Sequence, residues 1–217
     1  MPSYCPPVVT LRGLLAAALV CATTLTLGNS PASARTVAAD ATPRAATLQE
    51  VEKAAGHKVV KGTTVVLQTS KGKIEIVMFP KEAPKTVANF LKLVKSGFYN
   101  NTTFHRVIPG FVSQGGDPLS KTLKPGDGRI GTGDPGYKIE DEHGNGLKHI
   151  PGAVAMAHSA MPNSAGCQFY ITHAPITHLD GGYTIFGHVT KGFELAASMA
   201  HCEGCATPER IIKASVR

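Results

Sequence analysis

The sequence predicts a mainly β fold, an antiparallel barrel or sandwich capped by two helices, and three observations lead there. Gly and Pro are plentiful, 23 and 15 of 217 residues, which supplies many turns. From Thr102 to Val189 short apolar runs alternate with turns rich in Gly, Pro, Asp and Asn, the pattern of many short strands. Helical periodicity is clear in one segment and brief in a second, so helices cap the sheet rather than build the core.

Residues 1–34 stand apart. They carry one charge, Arg12, then an apolar run from Leu14 to Leu27, then small residues ending in Ala32-Ser33-Ala34. That is the order of a secretory signal peptide, with cleavage after Ala34. The run is too short to span a bilayer comfortably. A buried or anchoring helix is the competing reading, and a lipoprotein anchor at Cys21 is disfavoured by the bulky Val20 before it. Residues 35–61 are rich in Ala, Thr, Lys and Glu and read as a linker or N-terminal arm, with room for a short helix near Thr47–Val51.

The folded domain then runs over 62–217. Thr64–Thr69 is a β-branched run and Lys73–Phe79 begins in strict alternation, so with the turn Ser70-Lys71-Gly72 they form a hairpin. In the next segment Val87, Phe90, Leu91 and Val94 recur at helical spacing, with Pro84 in the first turn and Gly97 beyond the end. Further strands are expected at Thr103–Ile108, Val112–Gln114, Ala153–Ala157, Gln168–Thr172, Thr184–Val189 and Ile211–Val216, with a second helix at Phe193–Met199. The core rests on aliphatics and eight Phe, since Trp is absent.

The formal net charge of +7 admits an anionic partner, but the Lys and Arg are scattered and no aromatic-rich RNA-binding motif accompanies them. A solvated basic surface is the simpler reading, with no nucleic acid as partner. Without its leader the chain keeps Cys167, Cys202 and Cys205. Cys202-Glu203-Gly204-Cys205 suits either a local disulfide or two free thiols. It lies too late in the chain for a thioredoxin-like motif, and with His201 it offers too few ligands for zinc. The nine His show no metal-binding spacing, so no metal and no cofactor are expected. Gly131-Thr132-Gly133-Asp134-Pro135-Gly136 fits G-x-G-x-x-G formally, yet Pro135 and the lack of a following helix mark it as a loop.

Four segments carry the chemistry: Phe104-His105-Arg106-Val107-Ile108-Pro109-Gly110-Phe111 and on to Asp117; Gly131-Thr132-Gly133; Met156–Ser159 with Ser164–Ile171; and Leu179–Gly187. In order and spacing they resemble the cyclophilin family of peptidyl-prolyl cis-trans isomerases, over about residues 63–217. The resemblance implies a closed eight-stranded antiparallel barrel with two capping helices, and an enzyme acting on proline-containing polypeptides as a monomer. Taken singly, Phe111 and Leu179 read as core residues and Arg106 as an exposed strand arginine; the spaced set is what gives them roles.

Those roles follow from the reaction. Rotation about a peptide bond faces a barrier of ~18–20 kcal/mol because the nitrogen lone pair is shared with the carbonyl. A catalyst needs neither nucleophile nor metal; it needs a donor to the prolyl nitrogen, an apolar slot for the ring and polar groups for the flanking chain. The resemblance gives the donor role to Arg106, permanently charged and planar, and makes Gln114 its orienting partner. It places Phe111, Val112, Tyr170 and Leu179 in the proline slot, and the backbone at Ala157, His158 and Ser159, with Gln168, against the substrate chain. Gly131 would let the peptide approach closely.

Some rim positions depart from the best-known eukaryotic members. Tyr170 stands for a phenylalanine, adding a hydroxyl at the slot floor. His178 stands for the tryptophan that contacts cyclosporin, so cyclosporin is expected to bind with reduced affinity. Tyr183 replaces a histidine and His158 an asparagine, and the stretch Ala160–Gly166 is one residue longer, as in bacterial and organellar members. The expected activity is an exported foldase, in a periplasm, outside the cell, in the secretory pathway or in a thylakoid lumen, with no membrane contact in the mature form. The alternatives are a proline-recognition module without turnover and a general chaperone.

Overall fold

The computed structural model describes residues 43–217; the expected signal peptide lies outside the described residues. Nine strands form one antiparallel sheet: β1 (Thr64–Thr69), β2 (Gly72–Met78), β3 (Arg106–Ile108), β4 (Val112–Gly115), β5 (Ala153–Met156), β6 (Phe169–Thr172), β7 (Ile185–Lys191), β8 (Cys202–Glu203) and β9 (Ile211–Val216). Their order is β8-β3-β4-β6-β5-β7-β2-β1-β9. The ends of this order meet where residues 101–104 run beside 209–211. There an isolated bridge joins Thr103 to Arg210, and Phe104 N–H donates to Glu209 O at 2.8 Å.

The expected eight-stranded closed barrel is therefore corrected in two details. Among the described residues there are nine strands, because the two residues of β8 pair with β3, and the ring is drawn together by that bridge rather than a full ladder. Two residues are too short a run to leave any periodicity in a sequence.

Helix α1 (Leu48–Ala55) lies in the expected arm, where the sequence leaves room for a short helix near Thr47–Val51, and adds to the two expected capping helices. Its start is a complete capping box: Glu50 N–H donates to Thr47 Oγ1, and the Glu50 carboxylate accepts from Thr47 N–H. The arm is docked. Ala46 N–H donates to Pro151 O at 2.8 Å, His188 Nε2 lies 2.6 Å from Ala46 O, and Val51 is buried.

Helix α2 (Pro84–Lys95) starts at the predicted proline but has no side-chain cap of its own. Glu142, 57 residues further on, supplies one, accepting from Lys85 N–H and Thr86 N–H at 2.9 and 2.8 Å. A carboxylate also suits the positive end of the helix dipole. Helix α3 (Phe193–Ala197) is two residues shorter than expected.

Alternation along the strands divides the buried residues between the two faces of the sheet. The inner face holds Leu67, Ile74, Ile76, Met78, Val154, Met156, Phe169, Ile171 and Phe186, packed with Phe90 of α2 and Phe193 of α3. The outer face holds a smaller cluster, Val77, Val112, Ala153, Ala155, Tyr170 and Ile185. Val51 of the arm, Phe79 and Leu147 complete it.

Candidate active site

The site is built on the outer face of β3, β4 and β6. Register sets Arg106 opposite Gln114 and Gln114 opposite Tyr170. Side chains two apart share a face, so Arg106 with Ile108, Val112 with Gln114, and Gln168 with Tyr170 all project outward. Their neighbours Val107, Phe169 and Ile171 fill the interior.

Arg106 is partly exposed. Its Nε–H donates to Glu203 Oε1 at 3.2 Å, and His201 Nε2 lies 3.7 Å from the other oxygen of that carboxylate. No partner among the described residues occupies the two terminal nitrogens of the guanidinium. Gln114 lies across the ladder from Arg106, but its amide donates to Gln168 Oε1 at 3.1 Å. The contact that the sequence assigns to Gln114 is thus made in this structure by Glu203.

Gln168 carries the chain of amides onward, donating from Nε2 to the carbonyls of Gly131 and Gly133, each at 2.9 Å. That loop is held from below by Asp117, whose fully buried carboxylate accepts from the N–H groups of Gly131 and Gly133. A Cβ on Gly133 would lie 2.1 Å from Asp117 Oδ1, so only glycine fits. Gly131 has φ +104°; its requirement is the backbone conformation as much as room for a peptide. The loop, Gln114, Ala157, His158, Ser159 and Gln168 line a groove of about 390 Å³. The ring nitrogens of His158 sit 2.6 and 2.8 Å from Ser159 O and Gly182 O, so its side chain ties two rim loops together.

Beside the groove, Phe111, Leu179 and Tyr183 pack on Val112 and Tyr170 in the outer cluster. Phe111 stacks on His178, centroids 6.2 Å apart, and His158 stacks on Tyr183 at 4.4 Å. The expected set of slot and groove residues is therefore brought together. The Tyr170 hydroxyl is turned to His149 Nε2 at 2.9 Å, while His149 Nδ1 meets Asp180 Oδ1 at 2.9 Å. Burial pushes the Tyr170 phenol up and the His149 imidazole down, the latter in spite of Asp180.

The descriptive model of the cyclophilin type peptidyl-prolyl cis-trans isomerase/CLD family matches residues 64–216. The chain belongs to that family. It is 50% identical over 130 residues to peptidyl-prolyl cis-trans isomerase B of Bacillus subtilis, covering 59% of this chain and 84% of that one. It is likewise 50% identical over 125 residues to a peptidyl-prolyl cis-trans isomerase of Synechococcus elongatus, covering 58% and 79%. Among solved structures it resembles a cyclophilin type isomerase of Cryptosporidium parvum crystallised in the presence of the dipeptide Ala-Pro. The TM-score is 0.62 and the identity 32%, over 71% of this chain and 98% of that one. A cyclophilin of Hirschia baltica, at 22% identity and TM-score 0.61, shares the fold.

Three contributors escape a reading of the sequence as a cyclophilin. Asp117 and Asp180 stand inside the quoted motifs, Gly115-Gly116-Asp117 and Leu179-Asp180-Gly181; the buried carboxylate of Asp117 and the partly exposed one of Asp180 each accept from backbone N–H groups, which explains their place. Glu203 has no local signal; only the pairing of β8 with β3 brings it to Arg106.

Proposed function

We propose that this cyclophilin rotates X-Pro peptide bonds in proteins folding outside the cytosol, and that Arg106 is its catalytic donor. The observation that carries the reading is the end of the Arg106 guanidinium, unpaired among the described residues and held on a strand beside an apolar slot (Phe111, Val112, Tyr170, Leu179) and a polar groove. The proline ring seats in the slot, and the substrate chain lies along the groove against the backbone at Ala157–Ser159 and the Gln168 amide. Arg106 then donates to the prolyl nitrogen. That nitrogen is a poor acceptor while its lone pair is delocalised and a good one when the bond is twisted, so the contact strengthens in the transition state. The solved relative crystallised with Ala-Pro supports a proline-containing ligand, and the Ala32-Ser33-Ala34 leader supports export.

A protease-coupled assay on a Xaa-Pro peptide tests both parts. Uncatalysed isomerisation takes tens to hundreds of seconds, and the chain from Arg35 onward should shorten this markedly. Loss of one such donor costs roughly 100-fold or more in other enzymes, so Arg106→Ala should lower kcat/KM by about that factor. A wild type with no rate enhancement leaves only a proline-binding module; a variant equal to the wild type removes Arg106 from the mechanism. N-terminal sequencing of the secreted protein checks cleavage after Ala34.

A further inference from the structure

Arg106 is anchored from a direction outside the four segments that define the site. Strand β8 pairs with β3 so that Glu203 faces Arg106 and Cys202 faces Val107. Cys202 is bonded to Cys205 in a disulfide, and beyond the two-residue ladder that bond closes the turn carrying Glu203. Cys202 is buried and its sulfur rests 3.7 Å from His105 O, next to Arg106 in the chain.

We infer that Glu203 is a positioning residue for Arg106, and that the Cys202–Cys205 disulfide makes this positioning sensitive to thiol reductants. The inference rests on the reading of Arg106 as donor. An arginine side chain on a strand has several rotatable bonds, and the ordering of each costs free energy when the donor must be aimed. With Nε–H bonded to Glu203, the guanidinium plane is held while its terminal N–H groups, unpaired among the described residues, stay available to a ligand. Glu203 acts through Arg106 and touches no substrate. The pair is half exposed, so its strength as an ion pair is modest; what matters is an acceptor at the right place.

Reduction by a dithiol breaks the S–S bond. Two electrons and two protons pass to Cys202 and Cys205, which become thiols, while the reductant closes its own disulfide. The turn then keeps its short ladder and core contacts but loses its covalent closure, and Glu203 is held less firmly over Arg106. Cys167, the remaining thiol among the described residues, is buried, and burial pushes it up to about 12, so it stays a thiol on either side of this exchange.

The test compares wild type, Glu203→Ala, Glu203→Gln and Cys202→Ser/Cys205→Ser, with and without dithiothreitol. Glu203→Ala should lower kcat about 5-fold with KM within about 2-fold, while Glu203→Gln, which keeps an acceptor oxygen, should stay within about 2-fold of wild type. Dithiothreitol and the double serine variant should each reproduce the loss, and dithiothreitol should change Glu203→Ala no further. The Nε–Hε resonance of Arg106 should shift on reduction of the wild type and not of Glu203→Ala, a signal independent of turnover. Wild-type kcat in Glu203→Ala, or equal sensitivity of that variant to dithiothreitol, overturns the inference. An inactive wild type would instead overturn the functional reading, leaving the resonance shift to judge the Arg106–Glu203 contact.

Discussion

On β6, Phe169 and Ile171 turn inward while Tyr170 between them turns outward, and the two faces of the sheet are built differently. The inner face is filled by large side chains: Phe90 meets Phe169 edge-on at 5.4 Å and Phe186 at 5.0 Å, all fully buried. The outer face holds a smaller cluster, in which Val77, Val112, Ala153 and Ala155 lie among Phe79, Tyr170 and Ile185, and intersperses groups that donate, accept or titrate. A strand of period two can thus carry stability on one side and recognition on the other. A change of one position along it moves from one task to the other.

The largest effect should come from the inner side. Phe90→Ala, on α2 and packed on the opposite face of the sheet from the site, should cost about 3–5 kcal/mol in denaturant unfolding while the folded fraction keeps its kcat/KM. An equal fall in kcat/KM would break the division.

The arm gives the next test, on the outer side. Burial pulls the His188 imidazole down from 6.5 to about 4, so the folded state prefers the neutral ring. Its stabilisation is complete above the unfolded value and is lost as pH falls from about 6.5 through about 4, on the order of 3 kcal/mol in all. Urea titrations at pH 7 and pH 4 should show that loss in the wild type and less of it in His188→Gln, whose amide still donates to Ala46 O. Equal acid sensitivity in both would exclude His188.

Arg106→Ala follows, with a loss of about 2.7 kcal/mol in transition-state stabilisation for a 100-fold fall and an unchanged melting temperature. Tyr170→Phe should be the smallest. It leaves His149 Nε2 without its buried partner, so about 1 kcal/mol of stability should go. Because the hydroxyl faces His149, kcat/KM should change by less than about 3-fold. A larger change would mean that the hydroxyl shapes the slot, as the sequence alone suggests.

Much of this was legible from residue order. Ile211–Val216 is found with the predicted ends, and Val87, Phe90 and Val94 of α2 are buried as their spacing requires. The residues expected to form slot and groove are found side by side, and each sits in a local motif. What local order hides is contact made across the chain. Glu142 caps α2, Asp117 holds the Gly131 loop, and Glu203 reaches Arg106 over 97 residues. The signal for α1 was present in Thr47-Leu48-Gln49-Glu50, but a capping box alone does not say that the helix will dock.

The bridge between Thr103 and Arg210, and the pairing of β1 with β9, also govern the order of events in assembly. Both depend on residues 209–216, so a nascent chain with the whole slot already synthesised still has a ring open at two places. The last contacts to form span most of the domain, and such long-range closure is the slow kind. The catalyst of a slow step in other chains must itself wait for its final strand before its barrel can close.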